Sequence, residues 1–336
     1  MKKLILLFVL ILALLVYFAS YNQSPKNQDP GTTSFTLALD WTPNTNHTGI
    51  YVALQKGWYK KAGLDLKILP YSQVSADTLV ASNKVDAGIS STESIVALSA
   101  VKNPVISIGA IVASNTSGII VLENSGIESP KDLDGKIYGG FGLPYEEAVI
   151  KKIIQSDGGV GEFQNVILNT GAMQALESRK IDFVWVYKGW EAIIAEQQGL
   201  EIKFFPITEY GIPDYYTPTI ITGQKQISGR KELYKKFMKA TAKGYEFART
   251  NPKEAAQILI DTTPPGTFPE TKLVFQSQEF LSKAYAEKGQ KWGLQSKEKW
   301  HNYPEFMFEN NAVTDATGKP ITTLDFESLY TNEFLK

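Results

Sequence analysis

Cysteine is absent from this chain of 336 residues, and histidine is scarce, with only His47 and His301 present. The missing cysteine excludes disulfide bonds, thiolate catalysis, cysteine-ligated metal sites and a lipid anchor attached through cysteine. With two histidines, the chain also has few of the nitrogen ligands that transition metals prefer. We expect no metal and no other cofactor; the one alternative left open is an iron site built from the two histidines and carboxylates.

No charge of one sign dominates the chain either. Lysine and arginine together number 34, and aspartate and glutamate 35, which gives a formal net charge of −1. This balance creates no overall field for nucleic acid, so no nucleic-acid partner is predicted. Apolar residues make up 43% and charged residues 21%, as in soluble globular proteins. A chain of this length is typical of two domains rather than one.

One long apolar run lies near the start of the chain. Two lysines precede this run, which covers residues 4–19, and a polar segment follows it. A basic start and an apolar core are typical of a secretory signal, but bulky residues stand where a cleavage site needs small ones. Residues 1–20 are therefore predicted to be a signal peptide or a retained signal anchor. Residues 21–34 are predicted to be a flexible tether that holds the protein at the outer face of the membrane.

Strand-like and helix-like patterns alternate through the middle of the chain. Strands are predicted at 35–39, 64–69, 87–90, 105–113, 119–122, 163–168, 181–186 and 219–222. Helices are predicted at 49–62, 75–82, 93–101, 144–155, 171–179, 189–198, 230–250, 252–262, 269–287 and 297–310. This rhythm indicates an α/β fold of mainly parallel sheets flanked by helices. We expect lobe I at 35–115 plus 223–336, lobe II at 116–222, and a ligand cleft between them at the carboxyl ends of the strands.

Five blocks of sequence carry a resemblance to a known family. They are LDWTPNTNHTGIYVALQKGWYKKAGLDLKIL (39–69), KVDAGISSTESI (84–95), SPKDLDGKIYGGFG (129–142), KIDFVWVYKGWE (180–191) and PDYYTPTIIT (213–222). They resemble the importer proteins that bind thiamine pyrimidine precursors, including the formylaminopyrimidine-binding proteins. The resemblance implies a two-lobed, type II periplasmic-binding-protein fold. It also implies that the chain is the substrate-binding protein of an ABC importer, with a permease and its ATPase as partners.

Two alternatives follow from the same resemblance. Related folds bind alkylsulfonates, nitrate or flavin precursors, and the anionic ligands among these call for Arg, Lys or helix N-termini at the cleft. The superfamily also contains a fungal enzyme that makes the thiamine pyrimidine from one of its own histidines, and His47 stands at the matching position. That enzyme needs a cysteine-rich, iron-binding segment, whereas this chain has PDYYTPTIIT in the corresponding region. The protein is therefore predicted not to be an enzyme.

The first candidate binding site follows the first predicted strand. Asp40 and Trp41 stand at its carboxyl end, and Asn44 and His47 lie in the polar turn before the next helix. A polar and aromatic turn in this place is typical of a ligand site. Trp41 is also compatible with a core position, and His47 with a structural hydrogen bond.

The second candidate site follows the strand predicted at 181–186. Trp185 and Tyr187 share one face of the strand, and Trp190 and Glu191 come directly after it. A carboxylate can engage the ring nitrogen and the adjacent amine of a 4-aminopyrimidine. Protonation of that ring nitrogen makes the contact charge-assisted, and charge-assisted hydrogen bonds are about twice as strong as neutral ones. Glu191 also fits a plainer role as the acidic partner of a helix N-terminus.

Further candidates lie in three other segments. Tyr145 and Glu146 follow a run of glycines that we interpret as a tight turn, and Glu93 stands near the start of a helix. Tyr215 and Tyr216 lie near the return of the chain to the first lobe, so they belong either to hinge packing or to the pocket wall.

Acids outnumber bases among the charged candidates. Asp40, Glu93, Glu146 and Glu191 compare with one candidate base, Lys188. This favours a neutral or cationic ligand over an anionic one. The sequence thus predicts a monomeric, extracytoplasmic binding protein whose lobes close on a small pyrimidine of the formylaminopyrimidine or hydroxymethylpyrimidine type.

Overall fold

The computed structural model describes residues 31–168 and 171–336. The signal segment predicted at 1–20, and the predicted tether as far as residue 30, lie outside the described residues. Within the described ranges, no helix has both the length and the apolar character needed to cross a bilayer.

The first part of the chain alternates strands and helices as the sequence predicts. Its elements are β1 (Thr33–Ala38), α1 (Thr48–Gln55), α2 (Trp58–Lys61), β2 (Leu64–Leu69), α3 (Ala76–Ala81), β3 (Ala87–Ser90), α4 (Thr92–Ala100) and β4 (Val105–Ala110). Strand β1 begins slightly ahead of the predicted residue 35, because Thr33 pairs with Leu64 of β2. The helix predicted at 49–62 is broken at Gly57, whose φ of 67° lies in the left-handed region that favours glycine.

The second part of the chain repeats the alternation and ends in long helices. Its elements begin with β5 (Ser117–Leu122), β6 (Ile137–Gly140), α5 (Glu146–Ser156), β7 (Gln164–Ile167), α6 (Ala172–Glu177), β8 (Phe183–Tyr187), α7 (Ile193–Gln197) and β9 (Ile202–Pro206). They continue with β10 (Thr219–Gly223), α8 (Gln224–Thr250), α9 (Pro252–Thr262), α10 (Thr271–Ala284) and α11 (Lys297–Glu309).

The strands form two five-stranded sheets. The first sheet has the order β2-β1-β3-β10-β4, and the second has the order β7-β6-β8-β5-β9. In the first sheet β10 runs antiparallel to both neighbours, and in the second β5 does. The remaining strands of each sheet share one direction, because β1, β2 and β3 pair in parallel, as do β6, β7 and β8. The predicted α/β fold of mainly parallel sheets flanked by helices is therefore confirmed.

The chain returns to the first sheet earlier than the lobe boundary predicted at residue 222. Strand β10 lies between β3 and β4, so Thr219–Gly223 belongs to the first sheet by its hydrogen bonds. All its residues are buried, and a fully buried apolar strand fits the centre of either sheet. The sequence pattern therefore identifies the strand but not its sheet. The two segments that connect the sheets are 111–116 and 207–218.

The C-terminal helices pack mainly on the first sheet. Helix α8 lies against α1, and its Phe237 stacks on Phe35 of β1 with ring centroids 4.3 Å apart. Helix α10 differs, because it contacts α9 and also the turn that follows β8 of the second sheet. It therefore closes one side of the space between the sheets.

Candidate functional site

A cavity of about 600 Å³ lies between the two sheets. Most of its wall comes from the segments that follow β1, β2 and β3 of the first sheet and β6 and β8 of the second. All of these are carboxyl ends of strands, which is where open α/β sheets place their binding crevices. We call this cavity the cleft.

Aromatic side chains from both sheets line the cleft. Trp41 and Tyr71 come from the first sheet and tilt against each other, with ring centroids 5.0 Å apart. Tyr145 and Trp185 come from the second sheet and meet edge to face at 6.2 Å. The indole N–H of Trp185 donates to the hydroxyl of Ser117 at 2.7 Å, which fixes the ring in the wall. Flat faces of this kind add about 0.5–1.5 kcal/mol of stacking to the burial of an aromatic ligand.

Asp40 is held in the cleft wall by the imidazole of His47. The ring is fully buried, and its Nδ1 accepts from the backbone N–H of Asn44 at 3.2 Å. Nδ1 therefore carries no proton, and Nε2–H donates to Oδ1 of Asp40 at 2.9 Å. Asn44 lines the cleft and also caps the turn through its side-chain oxygen, which accepts from Asn46 N–H at 2.9 Å.

Asp77 adds a second carboxyl group to the wall on the first-sheet side. It stands in the first turn of α3, and the hydroxyl of Ser90 donates to its Oδ1. Burial raises the pKa of Asp77 above its ordinary value, the bond from Ser90 opposes this rise, and the charge of Asp40 reinforces it. Asp40 thus lies close enough to Asp77 to influence the ionisation of Asp77.

Glu191 supplies the carboxyl group on the second-sheet side. Strand β8 ends in a π-helical turn at Lys188–Ala192, a wide turn that is frequent at functional sites, and it brings Trp190 and Glu191 to the cleft. The backbone N–H of Tyr187 donates to Oε2 of Glu191 at 3.1 Å. Burial raises the pKa of this carboxyl above its ordinary value.

No lysine or arginine belongs to the cleft wall in the part of the chain that the structure describes. Lys188, the candidate base, lies instead with its Nζ 5.3 Å from the centre of the Phe204 ring. The acids in the wall are Asp40, Asp77 and Glu191.

Eight of the thirteen predicted ligand-binding residues line the cleft, namely Asp40, Trp41, Asn44, Tyr145, Trp185, Tyr187, Trp190 and Glu191. The other five do not line it, and they are His47, Glu93, Glu146, Tyr215 and Tyr216. His47 is one of these, because its ring lies beneath Asp40 and both of its nitrogens are already engaged.

Glu93 and Tyr215 are buried behind the cleft rather than in its wall. The hydroxyl of Tyr303 donates to Oε1 of Glu93 at 3.2 Å, and burial raises the pKa of this carboxyl. The ring of Tyr215 stacks on Tyr303 with centroids 3.6 Å apart. Both residues therefore serve the packing between the connecting segment and α11, one of the two roles that the sequence left open for Tyr215.

Glu146 and Tyr216 also face away from the cleft. The carboxylate of Glu146 accepts from the backbone N–H groups of Phe141, Gly142 and Leu143, so it holds the turn after β6 in place. The hydroxyl of Tyr216 accepts from the backbone N–H of Ser296 at 2.8 Å, and its ring lines a separate cavity of about 260 Å³. Neither side chain therefore lines the cleft, where the sequence predicts them.

Several cleft residues are missing from the sequence prediction. They are Thr45, Asn46, Tyr71, Asp77, Ser90, Ser91, Ser94, Thr116, Phe141, Leu143, Val186, Gly189, Thr217 and Leu281. Ser90 is the last residue of one predicted strand and Tyr71 closely follows another, so the strand-end argument applied to Asp40 could have found them. Leu281 comes from α10, far along the chain, and no local pattern marks it.

The described residues offer no fit to a metal site. No group of three or more His, Cys, Asp and Glu residues is placed to hold an ion within the described ranges. The Nε2–H of His47 donates to Asp40, and the lone pair of its Nδ1 accepts from Asn44 N–H. No lone pair of the imidazole is therefore free to bind a metal.

Comparison with known proteins adds a family and two relatives. The family model described as NMT1/THI5 like matches residues 44–255. The chain is 28% identical over 264 residues to the formylaminopyrimidine-binding protein of Halalkalibacterium halodurans, covering 77% of this chain and 79% of that one. It is also 27% identical over 263 residues to the 4-amino-5-hydroxymethyl-2-methylpyrimidine phosphate synthase of Legionella pneumophila, covering 76% and 83% respectively.

The fold is that of periplasmic binding proteins. The periplasmic sulfonate-binding protein SsuA of Methylobacillus flagellatus superposes with a TM-score of 0.65, over 91% of this chain and 93% of that one. The sequence identity of the two chains is 19%, so the likeness establishes the architecture and not the ligand.

Proposed function

The chain belongs to the NMT1/THI5-like family, and on that basis we propose that it is the substrate-binding protein of an ABC importer for a thiamine pyrimidine precursor. The ligand is of the formylaminopyrimidine or hydroxymethylpyrimidine type. The periplasmic-binding-protein fold supports the transport role, and the formylaminopyrimidine-binding relative supports the ligand class.

One observation carries the ligand assignment, namely the composition of the cleft wall. Aromatic rings line it from both sheets, and its charged members within the described residues are three acids without a lysine or arginine. A sulfonate or nitrate would have to leave water without a cationic partner, which is costly for a buried charge. A flat amine-bearing ring gains both stacking and hydrogen bonds in the same space.

Glu191 and Asp40 are the carboxyl groups that we assign to ligand recognition. With the ring nitrogen protonated, the Glu191 carboxylate accepts from that N–H and from the neighbouring amine of the aminopyrimidine, and its place in the cleft wall allows both contacts. Asp40 accepts from a second donor on the ligand, and the imidazole of His47 fixes its direction. His47 thus acts on the ligand through Asp40 and does not touch it.

We assign the two lobes to the two sheets. Lobe I consists of the first sheet with the C-terminal helices, lobe II of the second sheet, and the segments 111–116 and 207–218 connect them. Ligand contacts from both lobes stabilise a closed state over an open one. The protein acts as a monomer outside the cytoplasmic membrane, exported by an N-terminal signal that is either removed or retained as an anchor, and it delivers the ligand to a permease and its ATPase.

Isothermal titration calorimetry tests the ligand assignment. The purified protein is titrated with 4-amino-5-hydroxymethyl-2-methylpyrimidine, with its formylaminomethyl counterpart and with an alkanesulfonate. We expect micromolar or tighter binding of at least one pyrimidine and none of the sulfonate. Sulfonate binding without pyrimidine binding would overturn the assignment and leave the fold class untouched.

The relatives named as pyrimidine synthases make an enzymatic role the alternative to exclude. In such a role His47 would be consumed. In this protein, however, one nitrogen of its ring is hydrogen-bonded to Asp40 and the other to the backbone N–H of Asn44. We propose that the protein is not an enzyme. Incubation with iron, oxygen and pyridoxal phosphate should leave the intact mass unchanged, and a loss of mass localised to His47 would show the opposite.

A further inference from the structure

We infer that Asp77 selects the ligand by charge: it accepts a hydrogen bond from an amine or amide N–H on the ligand and excludes an anionic substituent such as phosphate. This inference rests on the proposed function, because it presupposes that a pyrimidine occupies the cleft. It concerns a residue that no sequence pattern identifies and a part of the ligand that Glu191 does not contact.

The two walls of the cleft differ in chemistry. The second sheet contributes mainly apolar and aromatic side chains, including Phe141, Leu143 and Trp185. The first sheet contributes Asp40 and Asp77 together with a group of hydroxyl side chains, and the members of that group are Ser90, Ser91 and Ser94. A ring that lies against the second sheet with one edge at Glu191 therefore directs its remaining substituent towards the first-sheet wall.

Asp77 has acceptor capacity left for such a substituent. The hydroxyl of Ser90 donates to Oδ1 and so occupies one acceptor position. An ionised carboxylate offers about four positions, so a ligand N–H can be added without displacing Ser90. The neighbouring charge of Asp40 makes the same place unfavourable for an anion, since like charges in a partly desolvated site repel strongly.

Helix N-termini do not restore an anion site at this wall. Helix α4 begins here, with Ser91 as its N-cap, and its unpaired N–H groups would attract an anion. However, the first turn of α4 contains the buried carboxyl of Glu93, and the first turn of α3 contains Asp77 itself. Acidic groups in the first turn offset the partial positive charge of a helix N-terminus.

The test compares two ligands that share one ring and differ in the charge of the substituent. They are 4-amino-5-aminomethyl-2-methylpyrimidine and 4-amino-5-hydroxymethyl-2-methylpyrimidine phosphate, titrated into the parent protein and into Asp77→Asn. The parent should bind the amine at least about tenfold more tightly than the phosphate. Asp77→Asn should weaken the amine about ten- to a hundredfold and leave the phosphate unchanged or strengthened.

A change in opposite directions distinguishes charge selection from a structural role, which would weaken both ligands alike. Asp261→Asn is the matched control, because Asp261 is exposed on α9 and its replacement removes the same charge outside the cleft. Equal losses for both ligands in Asp77→Asn, or phosphate binding as tight as amine binding in the parent, would overturn the inference. The parent comparison can overturn the inference even where the variant does not fold. If the parent binds neither ligand nor any other aminopyrimidine, the proposed function itself fails.

Discussion

At the scale of single residues, Glu191 is the side chain on which recognition of the aminopyrimidine edge depends. Its Oε2 accepts one backbone hydrogen bond, from Tyr187 N–H, and the group opens onto the cleft. Glu191→Gln keeps the size and one acceptor but loses the charge. Affinity for an aminopyrimidine should fall about ten- to a hundredfold in calorimetry, because a hydrogen bond to a charged group contributes about 1.5–3 kcal/mol.

Two further measurements make this prediction decisive. An analogue that lacks the exocyclic amine should lose much less affinity on the same substitution, since it makes one contact fewer. Glu196→Gln, which changes an exposed glutamate of α7 a few residues away, should leave binding unchanged. If Glu191→Gln binds like the parent and only its melting temperature shifts, the carboxyl is a partner of the helix terminus and not of the ligand.

Glu93 gives the protein a pH-dependent stability that a glutamine would remove. Burial raises its folded-state pKa above the unfolded value. Its contribution to stability is therefore fully present below the unfolded pKa and is lost as the pH rises towards the folded pKa. Glu93→Gln cannot ionise, and its amide oxygen can still accept from Tyr303. The advantage of the variant in urea midpoint should grow as the pH rises above the ordinary glutamate pKa of 4.5.

The matched control for Glu93 is Glu298→Gln, which changes an exposed glutamate in the first turn of α11. Its urea midpoints should follow those of the parent across the same pH range. If the urea midpoints of the parent and of Glu93→Gln differ by the same amount at every pH, Glu93 is as easily ionised in the folded state as in the unfolded one, and the prediction is wrong.

How far the sequence predicts the site depends on where each side chain sits. Asp40, Trp41 and Tyr187 lie at or next to the ends of strands, so the general position of binding crevices is enough to find them. His47 is close in sequence to this group, but its ring is buried beneath Asp40. Its hydrogen bonds with Asn44 and Asp40 determine this orientation. Asp77 requires knowledge of how α3 lies beside β3, which no pattern within one segment supplies.

At the scale of secondary-structure elements, the contact of α1 with α8 depends on two glycines. A Cβ added to Gly244 would lie 1.9 Å from the carbonyl oxygen of Gly49, an impossible approach. Gly244→Ala should therefore push the helices apart and lower the free energy of unfolding by about 1–3 kcal/mol, as overpacked cores do. Urea denaturation monitored by circular dichroism measures the change.

A second glycine of the same helix provides the control. Gly229 has open space where its Cβ would be, so Gly229→Ala should be neutral or should stabilise by up to about 1 kcal/mol. Equal stability of the two variants would contradict the close packing of α1 on α8, because the propensity gain is shared and only the clash differs.

Elements with a clear local signal are predicted well, and those without one are missed. The bounds of β2, β3 and α9 agree with the sequence prediction, since each has a regular apolar pattern and a turn or capping residue at its ends. Strand β6 is absent from that prediction because its sequence IYGG looks like a glycine turn. A Cβ at Gly139 would lie 2.4 Å from the end of the Ile181 side chain, so a larger residue there would force that side chain to move. Strand β9 pairs at the edge of the second sheet and ends in a proline, which weakens its pattern.

At the scale of the whole molecule, Ser277 of α10 joins the two sides of the cleft. Its hydroxyl lies 2.5 Å from that of Thr45, which follows β1, and it donates to the carbonyl oxygen of Gly189, which follows β8. Ser277→Ala should weaken every ligand by a common factor of about two to ten, because one hydrogen bond contributes about 0.5–1.5 kcal/mol to the closed arrangement. Dissociation constants for two pyrimidines measure that factor.

Selectivity is the quantity that separates this role from direct ligand contact. The ratio of the two dissociation constants should be the same in Ser277→Ala as in the parent. Ser228→Ala, at an exposed position of α8, should change neither constant. A loss confined to one of the two pyrimidines would mean that Ser277 acts on the ligand and not on closure.

The architecture as a whole follows from the sequence more readily than the assignment of its strands. The alternation of strands and helices indicates two α/β sheets, and both are present. The positions of the strands that follow each connection between the sheets are harder to predict, because β5 and β10 each join a sheet antiparallel to both neighbours. The buried sequence of β10 fits the centre of either sheet, so its place is decided by tertiary pairing and not by its own pattern.

The structure of a crystal grown with equal amounts of 4-amino-5-hydroxymethyl-2-methylpyrimidine and an alkanesulfonate tests whether the cleft binds a pyrimidine. We expect the pyrimidine in the cleft, with its ring among the aromatic side chains of the wall and its ring nitrogen and amine within hydrogen-bond distance of Glu191. A sulfonate in the cleft, or a pyrimidine bound elsewhere on the protein, would contradict this expectation.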